Sequence, residues 1–490
     1  MTERVSIAAL MAESGVGFGT SGARGLAEAM TDRVCYAYVA AFLAYLRDGG
    51  EAPPGTRVAL AGDRRPSTPR ILKACAAAIA DAGCIPVHCG TIPTPAVASY
   101  GLQVHIPSLM VTGSHIPDDR NGIKFYRAAG EILKDDEAGI RAQRIALPMG
   151  RFTADEALDA GGALPPASDA AYQAYLHRYL DFFPADCLAG RRVALYEHST
   201  VAREAFAAVL GGLGADVVPL GRSERFVPVD TEAIRPEDAA LARQWARDVG
   251  FDAIVSADGD GDRPLVGDEQ GRWLRGDVAG IYTARYLDAD AVVTPVSSNT
   301  SLEKSGWFPT IVRTRIGSPY VIAGMQAAAG QRVVGYEANG GFLTRQEITR
   351  DGRTLPALPT RDALVVALAV LGLAAREGLA VSALAGLLPP RHTASDRLKD
   401  FPTALSTARL GALREGGDAA IEQSLGADFG PVATTDDTDG LRITFASGEI
   451  VHLRPSGNAP ELRCYVEADT PERADAITRR CLGILEGWRR

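Results

Sequence analysis

Short apolar runs that end in glycine or aspartate alternate along most of this chain with alanine-rich stretches of helical spacing. Val58–Leu60 leads into Gly62-Asp63, and Pro69–Ala82 follows as a helix with proline near its start. The rhythm returns with Val193–Tyr196, a helix over Ala202–Leu213, then Val217–Leu220 and Ile254–Ser256. Ala291–Thr294, Ile311–Val312 and Val333–Gly335 continue it. Strand–helix alternation specifies mainly parallel sheets with helices on both faces. Continuous rather than alternating apolar strands agree with burial on both sides. A threefold recurrence of the unit before residue 388 is compatible with this pattern, which alone does not establish it.

After Pro390 the pattern changes. Leu441–Phe445 and Glu449–Leu453 flank Ser447-Gly448, a hairpin signal. Leu462–Glu467 adds a strand, and Thr470-Pro471-Glu472 starts a last helix by the N-cap and N1 rules. The C-terminal unit is therefore expected to be α+β, unlike the rest. At about 150 residues per domain, 490 residues make roughly three or four domains. Gly161–Pro166 and Leu387–Pro390 have the composition of linkers between them.

The longest apolar run, Ala363–Ala375, is too short for the ~18 residues of a membrane span. Its charged neighbours Arg361, Asp362 and Arg376 mark it as a buried core helix. No signal-peptide core is present. Lys and Arg total 51 against 60 Asp and Glu, a net charge of −9. That balance argues against general affinity for nucleic acid or anionic membranes, which needs a basic surface. It leaves room for a local basic pocket that takes one small phosphate. Seven scattered cysteines with no CxxC pair fit reduced thiols and a cytoplasmic location, and give a zinc site little support.

Five loops carry residues suited to chemistry. Asp258-Gly259-Asp260-Gly261-Asp262-Arg263 follows a strand and places three carboxylates at alternate positions of a glycine-rich turn. Their repulsion needs a counter-charge, and a hard divalent cation fits. An EF-hand is excluded, because Arg263 stands where that loop needs glycine. Thr112-Gly113-Ser114-His115-Ile116-Pro117 puts a serine at a strand end, where a nucleophile can face a cleft. By itself the stretch is more often an ordinary turn with a Ser/Thr cap. The absence of a second glycine rules out an esterase elbow. Arg454-Pro455-Ser456-Gly457-Asn458, with Arg463 nearby, has the composition of a phosphate cradle, or of a plain hairpin turn. Phe18–Gly25 is a glycine-rich loop ending in arginine and is not a Walker A loop. Gly335–Gly341 offers Glu337 and Asn339 to sugar hydroxyls or to a helix cap.

In this order the five loops resemble the α-D-phosphohexomutase family. The matching stretches are FGTSGARG at Phe18–Gly25, TGSHIP at Thr112–Pro117, DGDGDR at Asp258–Arg263, YEANGG at Tyr336–Gly341 and RPSGNAPELR at Arg454–Arg463. The resemblance spans nearly the whole chain. It implies three related mixed α/β domains plus a C-terminal α+β domain around a central cleft, here at 1–160, 161–272, 273–388 and 389–490. It implies a phosphoserine at Ser114 and one Mg²⁺ per site held by Asp258, Asp260, Asp262 and the serine phosphate. Lys124, His115, Arg24 and Arg263 fall around the reacting phosphoryl group, with Lys124 expected as the base and His115 as a positioning group. Glu337 and Asn339 fall at the sugar, and Arg454, Ser456, Gly457, Asn458 and Arg463 at the distal phosphate. Gly113 stands where the family usually has alanine, and Gly341 where many members have histidine.

The implied activity is reversible phosphoryl transfer between C1 and C6 of a hexose phosphate through a hexose 1,6-bisphosphate, which also serves as activator. Mannose phosphate ranks first as substrate, with glucose and (N-acetyl)glucosamine phosphates as alternatives. A non-catalytic sugar-phosphate binder is the alternative of a different class, although it would have no need of Ser114 and all three aspartates. A phosphohydrolase with an Asp-x-Asp nucleophile does not fit Asp262-Arg263.

Overall fold

Three stretches of the chain build the same sheet. In the first, Arg57–Gly62 lies between Ile85–Gly90 and Ser108–Val111, all parallel, and Arg120–Arg127 returns antiparallel beside Ser108–Val111. In the second, Arg192–Tyr196 lies between Asp216–Leu220 and Ala253–Ala257, and Pro264–Asp268 returns antiparallel. In the third, Ala291–Pro295 lies between Thr310–Thr314 and Val333–Tyr336, and Phe342–Thr344 returns antiparallel. Parallel neighbours need a crossover, and helices such as Thr68–Asp81, Arg203–Gly212 and Ser318–Ala327 supply it. The computed structural model describes residues 2–19, 22–159, 163–425, 429–457 and 460–489.

The threefold recurrence is thus a structural fact, and the sheets are mixed rather than mainly parallel. It also decides where the chemistry gathers. In each unit the chain reverses between the third strand and its antiparallel return, and the reversals are residues 112–119, 258–263 and 337–341. Three of the five motifs are one and the same turn of the repeat. Each lies at the carboxyl end of a parallel strand, where open α/β sheets bind ligands. The first sheet is extended by Gly22–Leu26, paired with Arg120–Arg127, and the third by Leu358–Asp362, paired with Phe342–Thr344.

The apolar run forms the helix Ala363–Glu377, capped by the Asp362 carboxylate on the N–H of Leu364. Twelve of its 15 residues are buried, which no surface helix allows. It packs on the helix Gly276–Tyr286 and the strand Pro264–Asp268, joining the second and third units in one apolar core. The C-terminal unit is an antiparallel sheet in the order His392–Leu398, Leu462–Ala468, Ile450–Pro455, Leu441–Phe445, Val432–Asp436. The expected hairpin is there, as is the last helix, Pro471–Gly487. This unit has its own core, from Phe401 to Leu485. Polar contacts tie it to the third unit, including Asn299 Nδ2 donating to the Arg391 carbonyl at 2.9 Å.

The Gly161–Pro166 junction lies partly outside the described residues. No helix among them is long and apolar enough to cross a membrane. All seven cysteines are unpaired thiols.

Candidate active site

Ser108–Val111 ends at Thr112-Gly113-Ser114, where Ser114 takes a left-handed backbone with φ 57°. That conformation is unusual for a residue with a side chain and has to be held in place. Thr112 Oγ1 accepts the Ser114 N–H at 2.8 Å and donates to Asp63 Oδ2 at 2.8 Å. Arg65, only 1% exposed, donates to the carbonyls of Ser114 (2.8 Å), Ile116 (2.6 Å), Pro117 (2.6 Å) and Arg120 (3.0 Å). Its Nε pairs with Asp63 at 3.0 Å. Gly113 lies flat against this guanidinium: a Cβ there would stand 2.6 Å from Arg65 Cζ. The glycine in place of the usual alanine is therefore a packing requirement.

Ser114 Oγ donates to Asp258 Oδ2 at 2.6 Å. Asp258, Asp260 and Asp262 are fully buried, and one ligand oxygen from each lies within 4.8 Å of the others. Gly261, at φ 73°, lets the turn curl around that point. Burial, and then repulsion from Asp260 and Asp262, pushes the Asp258 carboxyl well above its usual range. Burial acts on Asp260 in the same sense, but the Lys124 ammonium and hydrogen bonds outweigh it and hold Asp260 below that range. Oδ1 of Asp260 and Oδ1 of Asp262 are buried without a hydrogen-bond partner. Orphaned carboxylate oxygens converging in an all-oxygen donor set fit a hard divalent cation.

Lys124 Nζ lies 2.6 Å from Asp260 Oδ2 and 2.5 Å from Asp262 Oδ2. Burial favours the neutral amine, but the two carboxylates more than reverse this and raise its pKa. The same two carboxylates are candidate cation ligands, so lysine and ion compete for them. In its pKa His115 is the opposite case. Burial, then the charges of Arg263 and Arg24, hold its pKa well below the usual value. Its Nδ1 accepts from Arg263 Nη1 at 2.8 Å and lies 3.4 Å from Ser114 Oγ. Arg24 faces Gly122 across the sheet. Burial and the neighbouring Arg263 lower its pKa to about 10. Among the described residues no carboxylate pairs with it, so cationic groups crowd around Ser114 as an anion site requires.

Val333–Tyr336 ends at Glu337, whose Oε2 accepts from Arg361 Nη1 at 3.3 Å. Asn339 Oδ1 accepts the N–H of Gly341, and the Asn339 carbonyl accepts from Thr231 Oγ1 at 2.7 Å. Arg454 and Arg463 stand directly opposite each other on Ile450–Pro455 and Leu462–Ala468. Like charges in that relation repel, and two carboxylates offset them in part: Arg454 Nε lies 2.7 Å from Asp439 Oδ2 and Arg463 Nη2 3.5 Å from Glu461 Oε2. Arg463 Nε is buried with no partner.

One cavity of about 530 Å³ gathers these groups. Arg24, Ser114, His115, Lys124 and Arg263 line it together with Glu337, Asn339, Arg454, Ser456, Gly457 and Arg463, while the three aspartates lie under its wall. Asn458 lies outside the described residues. Sequence reasoning missed Arg65, Arg361 and Asp439. Arg65 follows a strand end in Asp63-Arg64-Arg65, a signal of the same kind as the other loops. Arg361 was legible only as a flank of the apolar helix. Asp439, which accepts from Arg454 Nε at 2.7 Å, carried no signal.

The chain matches all four domain models of one family, phosphoglucomutase/phosphomannomutase: α/β/α domains I, II and III over residues 15–146, 170–271 and 275–391, and the C-terminal domain over 409–482. A phosphomannomutase of Sinorhizobium fredii is 45% identical over 96% of this chain and 98% of its own. One from Salmonella muenchen is 44% identical over 97% and 96%. The fold is shared with a phosphoglucomutase/phosphomannomutase family protein of Burkholderia thailandensis, at a TM-score of 0.72 and 20% identity over 96% of this chain and 97% of that one. Motif order, repeat topology and full-length similarity agree: this chain belongs to the phosphoglucomutase/phosphomannomutase family.

Proposed function

We propose that the protein is a phosphohexomutase that moves a phosphoryl group reversibly between C1 and C6 of mannose phosphate, through a phosphorylated Ser114 and a mannose 1,6-bisphosphate. The observation that carries this is the position of Ser114 Oγ, 2.6 Å from Asp258 and opening on the cavity that Arg454 and Arg463 also line. Mannose is placed first because the two relatives described above bear that name.

The free hydroxyl of the substrate attacks the phosphorus on Ser114. A new P–O bond forms to the sugar as the bond to Oγ breaks. Arg24, Arg263 and Lys124 stabilise the charge on the oxygens in transfer. A hard divalent cation such as Mg²⁺, held by Asp258, Asp260 and Asp262, adds charge neutralisation there. The hydroxyl proton passes to a base beside Ser114, for which Lys124 and His115 are the candidate groups; His115 Nδ1 already accepts from Arg263 Nη1 at 2.8 Å. The bisphosphate turns over in the cavity, and its other phosphoryl group returns to Oγ, leaving the isomer. Glu337 and Asn339 bind the ring hydroxyls. Arg454, Ser456, Gly457 and Arg463 hold the phosphate that is not reacting. A hexose 1,6-bisphosphate activates the protein by phosphorylating Ser114.

A coupled assay on mannose 1-phosphate, glucose 1-phosphate and N-acetylglucosamine 1-phosphate, run with Mg²⁺ and a trace of bisphosphate, tests the reading. Mannose 1-phosphate should have the highest kcat/KM. Intact mass should show one added phosphate, mapped to the Ser114 peptide. Turnover of none of the sugars, or full activity in Ser114→Ala, would sink it.

A further inference from the structure

We propose that Arg361 is a positioning residue that couples the aspartate loop to the sugar loop, and that residue 341 is glycine to make room for it. The proposal rests on the mutase reading above and adds a residue that the motifs do not contain. Arg361 is 3% exposed. Its Nε and Nη2 lie 3.1 and 3.0 Å from Asp262 Oδ2, and its Nη1 lies 3.3 Å from Glu337 Oε2. One planar guanidinium thus spans the reversals of the second and third units, a task for a fork of fixed donors rather than a single ammonium.

The backbone at 361 is itself fixed. The next residue, Asp362, caps the buried helix Ala363–Glu377. It also accepts hydrogen bonds from Tyr175 Oη, at 2.8 Å, and Tyr179 Oη of the helix Ala170–Leu180. Arg361 is therefore held from behind and aimed at the site. The strand Leu358–Asp362 pairs with Phe342–Thr344, so the stem of Arg361 lies across Gly341. A Cβ at 341 would stand 2.5 Å from Arg361 Cδ and 2.6 Å from Cγ. The stem occupies the space that any side chain at 341 would take. Both ends of the fork matter to transfer: Asp262 shares its Oδ2 with Lys124, and Glu337 faces the cavity.

A double-mutant cycle on the full-length protein tests this. Arg361→Ala loses charge-assisted hydrogen bonds at two carboxylates and should lower kcat about 10- to 100-fold. The ratio of mannose to glucose turnover should shift too, because Glu337 loses its anchor. Arg361→Lys should recover part of kcat. Gly341→Ala should reproduce the loss in the wild-type background and add little in the Arg361→Ala background, where Cγ and Cδ, the two nearest atoms, are gone and only Cβ at 3.0 Å remains. Thermal melting checks the fold. Titration with Mn²⁺ provides a readout without turnover: affinity should hold or tighten, since a cation beside Asp262 has been removed, whereas collapse of the loop would weaken it. Additive losses, weakened Mn²⁺ binding, or an Arg361→Ala variant within twofold of wild type on both sugars would overturn the proposal. If Arg361→Ala does not fold, Arg361→Lys and Gly341→Ala decide: an unchanged sugar ratio in both overturns it. A wild type that converts no hexose phosphate overturns the mutase reading and this proposal with it, whereas additive losses in an active enzyme overturn this proposal alone.

Discussion

Arg454 Nε donates to Asp439 Oδ2 at 2.7 Å, and the same carboxylate oxygen accepts the backbone N–H of Ile316 at 2.9 Å. Asp439 thereby aims the arginine of the C-terminal unit and ties that unit to the loop 315–317 of the third. The two units have separate apolar cores, so their relative placement depends on polar contacts of this kind.

Replacing Arg454 by alanine should cost about 1.5–3 kcal/mol of substrate binding, the worth of a charge-assisted phosphate contact. Both kcat and KM should suffer, because remote phosphate binding also orients the sugar. Phosphate contacts do not read sugar identity, so mannose and glucose phosphates should be affected alike. Asp439→Asn keeps an acceptor for Ile316 while removing a carboxylate that competes with the ligand. Inorganic phosphate should then bind more tightly by calorimetry. A changed sugar ratio in Arg454→Ala would reverse the assignment of the two loops.

Chelation should abolish turnover and Mg²⁺ should restore it. Asp260→Asn should weaken Mn²⁺ binding by about 10-fold or more, since even outer contacts of a metal site are worth that much. Calorimetric titration with Mn²⁺ measures this without turnover. Unchanged affinity would remove Asp260 from the ligand set.

Arg65 and Asp63 are a buried ion pair that also fixes four carbonyls of the serine loop. Breaking such a pair from one side costs about 3–5 kcal/mol. Arg65→Met should therefore lower the thermal midpoint and abolish phosphorylation of Ser114. Gly113→Ala should produce a milder form of the same defect, about 1–3 kcal/mol for overpacking. A Gly113→Ala protein with wild-type melting and full phosphorylation would show that Arg65 yields freely.

Acid should destabilise the protein through two buried histidines. Burial lowers His198 and His452 from the usual 6.5 to about 4. Between those values the unfolded chain binds protons that the native state refuses, so stability falls as pH drops from 6.5 toward 4. Each group contributes about 3 kcal/mol across that window. His198 Nε2 lies 2.7 Å from the Ala257 carbonyl, a contact a glutamine amide can keep without titrating. Thermal melts from pH 4 to 7 should show a shallower acid slope in His198→Gln. An identical slope would assign the acid sensitivity elsewhere.

The strand-and-helix alternation, the change of class after Pro390 and the five loops were legible because each is local. A strand needs only its apolar run, a turn its glycines, and a carboxylate cluster its spacing. The apolar helix was legible too, and with it the charged flank Arg361-Asp362, although not what that flank does. The weak recurrence of the unit became definite only in the sheet order, which shows the serine, aspartate and sugar loops to be one turn used three times. Lys124 was legible as a residue type suited to a base, but its contacts with Asp260 and Asp262, more than 130 residues away in sequence, were not.

The sequence by itself determined the element types, the family resemblance and which loops carry chemistry, since short-range pattern and residue type suffice for these. Only the tertiary structure decided the partners of Lys124 and His115, the contacts of Arg65, Arg361 and Asp439, and which atoms lie against Gly113 and Gly341. Each of these depends on which charges and atoms from distant segments share one dry site. Coulomb interaction and packing act through space, and spacing along the chain does not encode them.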